Sequence, residues 1–190
     1  YLQLAVHHYF KYQKLKQRKT TEEEMERERK TVLSVLDQMA LNLPEKTIPI
    51  PSNDLNYQIG QIYSQVGEKD RFRTILDKLS ARERISLDDK IRFGQTYIQE
   101  LNDYDKAINI FEAMNSHYRS LEESYRKNPK SVSTKSWNKW DAVYPEIISS
   151  LVLAYQGVGD DKKAELVLND WLERNPTDNT ARKMLDNLNK

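Results

Sequence analysis

The sequence predicts an all-α protein assembled from repeated helix pairs, and three observations predict it. Apolar residues recur at i, i+4 and i+7 in four separate stretches, the spacing of one stripe along an α-helix. Glycine and proline are scarce, five and six in 190 residues, and most fall between those stretches. Two of the stretches read as one phrase written twice, "LNDYDKAINIFEAM" (101–114) and "VGDDKKAELVLNDW" (158–171). Each opens on an acidic turn, then places a small residue seventh and large apolar residues eleventh and fourteenth.

The other two stretches fall into the same register. "VGEKDRFRTILDKL" (66–79) aligns with the first phrase at an offset of 35, setting Phe72, Leu76 and Leu79 beneath Ala107, Phe111 and Met114. The second phrase aligns at 57, setting Ala164, Leu168 and Trp171 there. "ERERKTVLSVLDQM" (26–39) contributes Val32, Leu36 and Met39. A leading helix precedes each: Leu2, Ala5, Val6 and Tyr9; Ile59, Gly60 and Tyr63 before a turn at Gly67; Phe93, Gly94 and Tyr97; Leu151, Val152 and Tyr155 before Gly159. Glycine inside a helix costs about 1 kcal/mol against alanine, so Gly60 and Gly94 predict close approach of the partner helix. The third unit carries one extra residue between Tyr97 and Tyr104, and its second helix overruns to "KNP" at 127–129.

Punctuation sets the boundaries. Thr21 with Glu24 and Ser86 with Asp89 have the spacing of capping boxes. Pro145 suits the first position of the last leading helix, where its missing N–H is harmless. "NLPEKTIPIPSN" (42–53) reads as an extended connector and "KNPKSVSTKS" (127–136) as an irregular link. The expected organisation is one domain over 1–190, with units near 1–44, 52–84, 86–128 and 145–176, an insert at 129–144 and a final helix within 178–190. Ala181, Leu185 and Leu188 of that helix would cover the last unit, since an uncovered end exposes core.

A large-x-x-apolar-small-x-x-Tyr helix followed by Ala-x-x-x-Phe and a closing Pro resembles the tetratricopeptide repeat, whose period is about 34 residues. The unit with Ile148, Leu151, Val152, Tyr155, Gly159, Asp160, Ala164, Leu168, Trp171 and Pro176 carries the resemblance most fully. It implies a right-handed α-α superhelix of about four helix pairs plus a capping helix, with leading helices lining a concave face. It also implies a non-catalytic module that binds a peptide or protein segment, or the remainder of a parent chain, on that face. In the repeat register the lining is Gln3, His7, Phe10 and Lys11; then Tyr57, Gln61, Ser64 and Gln65. It continues with Ile91, Gln95, Ile98 and Gln99; then Ser149, Leu153 and Gln156. Tetratricopeptide domains that clamp a terminal carboxylate use Lys, Arg and Asn at such places, so an amide-rich lining disfavours that ligand.

Composition narrows the classes further. Hydrophobic residues are 38%, charged residues 31%, and the net charge is +1, so no global field draws the chain to nucleic acid or anionic lipid. Cysteine is absent, which removes thiolate chemistry and disulfides. No apolar run reaches the roughly 20 residues that cross a bilayer. His7 and His8 are adjacent, point about 100° apart on a helix and lack a third ligand at i+4, which disfavours a metal site. Asp88–Asp89 and Asp160–Asp161 sit where carboxylates cap helices. No nucleophile elbow, phosphate loop or zinc-protease motif is present, and no cofactor is expected. Arg126, Lys127, Lys130, Lys135 and Lys139 with Trp137 and Trp140 offer a weak nucleic-acid signal. The i, i+3, i+7 spacing of Trp137, Trp140 and Tyr144 points instead to one buried stripe. The basic end of the first helix and the acidic "TEEEMERE" are expected to form a solvated hairpin tip.

A second resemblance lies in "VLDQMALNLPEKTIPIP" followed by "LNYQIGQIYSQVGEKDRF". It is similar to the soluble C-terminal part of bacterial polytopic membrane proteins related to lipid-linked-sugar glycosyltransferases. That resemblance implies an extracytoplasmic accessory domain contacting acceptor or glycan, with a periplasmic location; without it the location would be cytoplasmic. A start at Tyr1, without Met, fits the expectation of a piece of a longer protein.

Overall fold

Side-chain oxygens mark where the helices begin. Glu24 N–H donates to Thr21 Oγ1 at 3.4 Å and opens α2 (Glu22–Asn42), after α1 (Leu2–Gln17). After α3 (Ser52–Gln65) and α4 (Lys69–Ser80), Asp89 N–H donates to Ser86 Oγ at 3.1 Å to open α5 (Leu87–Thr96). Then come α6 (Tyr104–Lys127), α7 (Thr134–Gly157) capped by Ser133, and α8 (Asp161–Arg174) capped by Asp160. Asp178 accepts from the N–H groups of Thr180 and Ala181 at the start of α9 (Asn179–Leu188). This computed structural model describes residues 2–18, 20–42 and 52–188, and among them there is no strand. The triple-proline connector expected over 42–53 lies largely outside the described residues; helix is present again from Ser52.

The chain forms two compact units, Tyr1–Arg82 and Glu83–Lys190. In the first, Ala5 of α1, Val32 and Leu36 of α2, and Ile59 and Tyr63 of α3 share one core. In the second, α5 packs on α6, α6 on α7, α7 on α8, and α8 on α9. Asp178 also accepts from Trp171 Nε1 at 2.7 Å, which ties the end of α8 to the start of α9. Ala181 is buried there, as expected of a covering helix, while Leu185 and Leu188 are only half-buried.

Three turns between paired helices share a left-handed residue: Gly67 at φ 92°, Gly159 at φ 77° and Asn102 at φ 51°. In the two glycine turns Glu68 N–H bonds Tyr63 O at 2.8 Å and Asp160 N–H bonds Tyr155 O at 2.9 Å, each five residues back. At Asn102 the same closure, Asp103 N–H to Tyr97 O at 2.8 Å, reaches six residues back across a π-turn at Tyr97–Leu101. The extra residue seen in the sequence is thus absorbed as one wide turn of helix, and the pairing beyond it continues.

The region expected as an insert is part of a helical arm, and Pro145 is not at a helix start. α7 begins eleven residues earlier, at Thr134, because Ser133 caps it by accepting from Ser136 N–H at 3.2 Å. An internal proline costs a backbone bond and about 3 kcal/mol, and packing on both sides of it offsets that cost. α6 and α7 are each 24 residues long, against 12 for α4 and 14 for α3. The added length of α6 and α7 accounts for the growth of the repeat offset from 35 to 57. Tyr125 stacks on Trp137 at 4.5 Å, Tyr118 on Tyr144 at 3.6 Å, and His117 meets Trp140 at 4.7 Å. Both tryptophans of the basic run therefore pack within the arm, and Arg126, Lys127 and Lys139 pair with Glu122, Glu123 and Asp88.

Gly60 and Gly94 are where the helices of a pair meet. A Cβ at Gly60 would lie 2.3 Å from a carbon of the Phe72 ring, and one at Gly94 2.5 Å from a carbon of the Phe111 ring, too close for either to fit; both rings are fully buried. Gly157 faces Tyr104 in the same way, but Tyr104 is half-exposed and can move. Gly60→Ala is therefore expected to destabilise by about 1–3 kcal/mol despite alanine's better helix propensity. Gly157→Ala should cost clearly less. Urea midpoints of the two variants check this, and equal midpoints would contradict it.

The repeat tyrosines are buried, as the sequence predicts, and two of them are tied across pairs. Tyr63 donates to Asp37 of α2 at 2.8 Å, and Tyr155 donates to Glu112 of α6. Burial and the Asp37 carboxylate push the Tyr63 phenol up to about 12, and burial with a neighbouring acid raises Tyr118 and Tyr155 as well. A phenol whose pKa is raised in the folded state contributes stability that is complete below its unfolded value of about 10. That contribution disappears as pH rises through the folded value. Stability should therefore fall between about pH 10 and 12, less steeply in Tyr63→Phe; an identical alkaline slope in that variant would contradict the assignment.

Candidate interaction face

Two leading helices lie side by side in the second unit. Lys139 Nζ is 3.2 Å from Asp88 Oδ2, and Gln95 Nε2 donates to Glu146 Oε1 at 2.8 Å, both linking α5 to α7 across 51 residues. On the second helices, Arg119 Nη2 pairs with Asp170 Oδ1 at 2.5 Å, again 51 apart. Arg174 Nη1 pairs with Glu122 Oε2 at 3.0 Å, 52 apart. A constant separation means that α5 and α7 run in the same direction, as do α6 and α8. The pair α7/α8 therefore lies beside α5/α6 with both of its helices in the same sense.

The α7 side of this face is one heptad-spaced stripe: Lys139, Glu146 and Leu153 at i, i+7 and i+14, with Ser149 and Gln156 on the adjoining row. Leu153 is 48% exposed. Gln156 and Gln99 are exposed; Gln95 and Ile98 are half-buried. Ser149 is half-buried, and its hydroxyl donates to the Pro145 carbonyl at 2.9 Å. The π-turn carries Ile98 and Gln99 and sets where they emerge beside α7.

Two expected lining residues belong to the core. Tyr57 is buried with its ring edge against Phe72, and Ile91 is buried on α5. Both apolar side chains gain more from burial than a surface position would give them. In the first unit Gln61 and Ser64 are half-buried and Gln65 is exposed, while Gln3, His7, Phe10 and Lys11 lie on the exposed face of α1. Phe10 is 58% exposed.

The hairpin of α1 and α2 holds a group that sequence reasoning missed. Within the stretch expected to be solvated, Glu28 is only 6% exposed. His8 Nδ1 lies 2.5 Å from its Oε1, and Lys11 Nζ lies 2.7 Å from its Oε2. Burial pushes this carboxyl up, but hydrogen bonds from Lys11 and His8 outweigh burial and hold it below the usual range. Its one sequence signal is that α1 and α2 are antiparallel about a short turn, which brings positions 8 and 28 level. Arg29 makes a second such tie, donating to Val66 O at 2.7 Å and to Glu68 Oε1 at 2.6 Å, and so joins α2 to the α3–α4 turn.

A group with a depressed folded pKa gives stability that is complete above its unfolded value and lost as pH falls through the folded one. Glu28→Gln is expected to cost about 1.5–3 kcal/mol at neutral pH, the range for hydrogen bonds to charged groups. The gap to the parent should narrow as pH falls below the ordinary glutamate value of about 4.3 and close once pH has passed the lower folded value, where the parent also carries an uncharged side chain. A gap unchanged by acid, read from urea midpoints, would show that the charge is not what matters.

Among the described residues no cluster of three or more His, Asp or Glu side chains has the arrangement of a metal site. No helix among them is long and apolar enough to cross a membrane. Compared with family models, with curated proteins and with solved structures, the chain finds no match.

Proposed function

We propose that the chain is a non-catalytic interaction module of tetratricopeptide type, taking an extended peptide along the face shared by α5 and α7. The observation that carries this reading is the common offset of 51 between α5 and α7 and between α6 and α8. Helix pairs displaced without change of direction present their leading helices as one continuous surface, the feature that repeat arrays use for binding. The left-handed turns at Gly67, Asn102 and Gly159, and the buried tyrosines one helical turn before them, support the same repeat. Exposed Leu153 on α7, with exposed Gln156 three residues on and exposed Gln99 on the neighbouring π-turn, supplies the chemistry: an apolar contact together with hydrogen-bonding groups. The accessory-domain alternative rests on the proline connector, which lies largely outside the described residues, and on the sequence of α3 that follows it.

Random peptides displayed on phage and selected on the intact chain test this reading. Leu153 is exposed, so Leu153→Arg should leave the circular dichroism spectrum unchanged while weakening selected peptides at least about tenfold, or 1.4 kcal/mol. Peptides that bind parent and variant equally would remove the α5/α7 face from the account.

A further inference from the structure

The acids at the start of α5 are neutralised by neighbouring cations. Asp88 is paired with Lys139, and Asp89 with Arg92. Glu146 of α7 differs: among the described residues its carboxylate meets the Gln95 amide and no cation. The amide fixes the carboxylate in place on the face without cancelling its charge. Seven residues further along α7, on the same stripe, stands the exposed Leu153. At a rise of 1.5 Å per residue the two are about 10 Å apart along the helix.

That distance selects the conformation of a ligand that uses both. In a β-strand, side chains on one face are two or four residues apart, about 7 or 13 Å, so each span misses by about 3 Å and a side chain must lean to make it up. A polyproline II helix has three residues per turn and a rise of about 3.1 Å. It returns a side chain to the same face every three residues, about 9 Å on, which does fit. Its backbone carbonyls are free of internal hydrogen bonds and open to the amides of Gln99 and Gln156.

We infer that the ligand of this face is a polyproline-type segment with a lysine or arginine on Glu146 and, three residues away, a large apolar side chain on Leu153. The inference rests on the reading of the face as a peptide site and adds the ligand's charge, spacing and conformation. An exposed ion pair is a modest contribution, so the charge selects among ligands while the apolar contact and backbone hydrogen bonds hold them.

Fluorescence anisotropy with labelled proline-rich peptides on the intact chain tests it. The probes carry Lys and Leu three residues apart in either order, with controls in which they are two or four apart or in which Glu replaces Lys. One three-apart peptide should bind best, should lose about fivefold on Glu146→Gln, and should lose to its Glu counterpart on Glu146→Lys. The inference is overturned if spacing makes no difference, or if Glu146→Gln and Glu146→Lys leave the preference unchanged. It is also overturned, with the peptide-site reading left standing, if none of these probes binds while phage-selected peptides still depend on Leu153.

Discussion

An aromatic ring laid on bare backbone sets the spacing of the helix pairs. Phe72 of α4 covers Gly60 of α3, and Phe111 of α6 covers Gly94 of α5, with both rings wholly removed from solvent. A glycine at these places sacrifices about 1 kcal/mol of helix propensity. In exchange it admits a ring that buries far more apolar surface than an alanine could. Once the two helices are held at that distance, the connecting turn has little freedom. It closes through one left-handed residue, and the tyrosine a turn earlier is enclosed and must find an acceptor for its hydroxyl. Asp37 and Glu112 supply that acceptor, each directly after the apolar residue of the neighbouring stripe.

The long arm of α6 and α7 extends the same construction. Tyr144 lies at its base, stacked on Tyr118, edge-on to Trp171 at 5.2 Å and under the Arg174 guanidinium at 5.7 Å. Arg174 is held in turn by Glu122 and Asp170. This cluster joins three helices at one point and makes the internal Pro145, next in sequence to Tyr144, tolerable. The exposed stripe of α7 runs on the far side of that anchor, so its side chains are held on a rigid element rather than a loop.

Much of this was legible in the sequence because it follows from local rules. Thr21 and Ser86 cap the helices expected of them, Gly60 and Gly94 sit at close approaches, and the all-helical class holds across the described residues. Pro145 misled because its preference for a helix start is strong locally. The competing signals were a Ser133 cap and a Trp137–Trp140–Tyr144 stripe, which count only once α6 is known to extend alongside. The extra residue before Tyr104 was visible, but its conversion into a π-turn depends on the seam keeping its register on both sides. Tyr57 and Ile91 read as lining because register fixes a helix face only to within one row of side chains. Glu28 was hidden by its setting: inside a run of charges, nothing local distinguishes the one carboxylate that the opposite helix covers.

Whether the two helix pairs lie side by side in the same sense can be measured directly in the second unit, and the lack of cysteine makes the measurement clean. Cysteine pairs would be placed at Asp88 with Lys139 and at Arg119 with Asp170, and bridged with a short bis-maleimide reagent. The account predicts efficient intramolecular cross-linking of both pairs, and none when Asp88 is paired instead with Gln156 at the far end of α7. Cross-linking of Asp88 with Gln156 in preference to Lys139 would mean that α5 and α7 run in opposite directions, and the shared face would not exist as described.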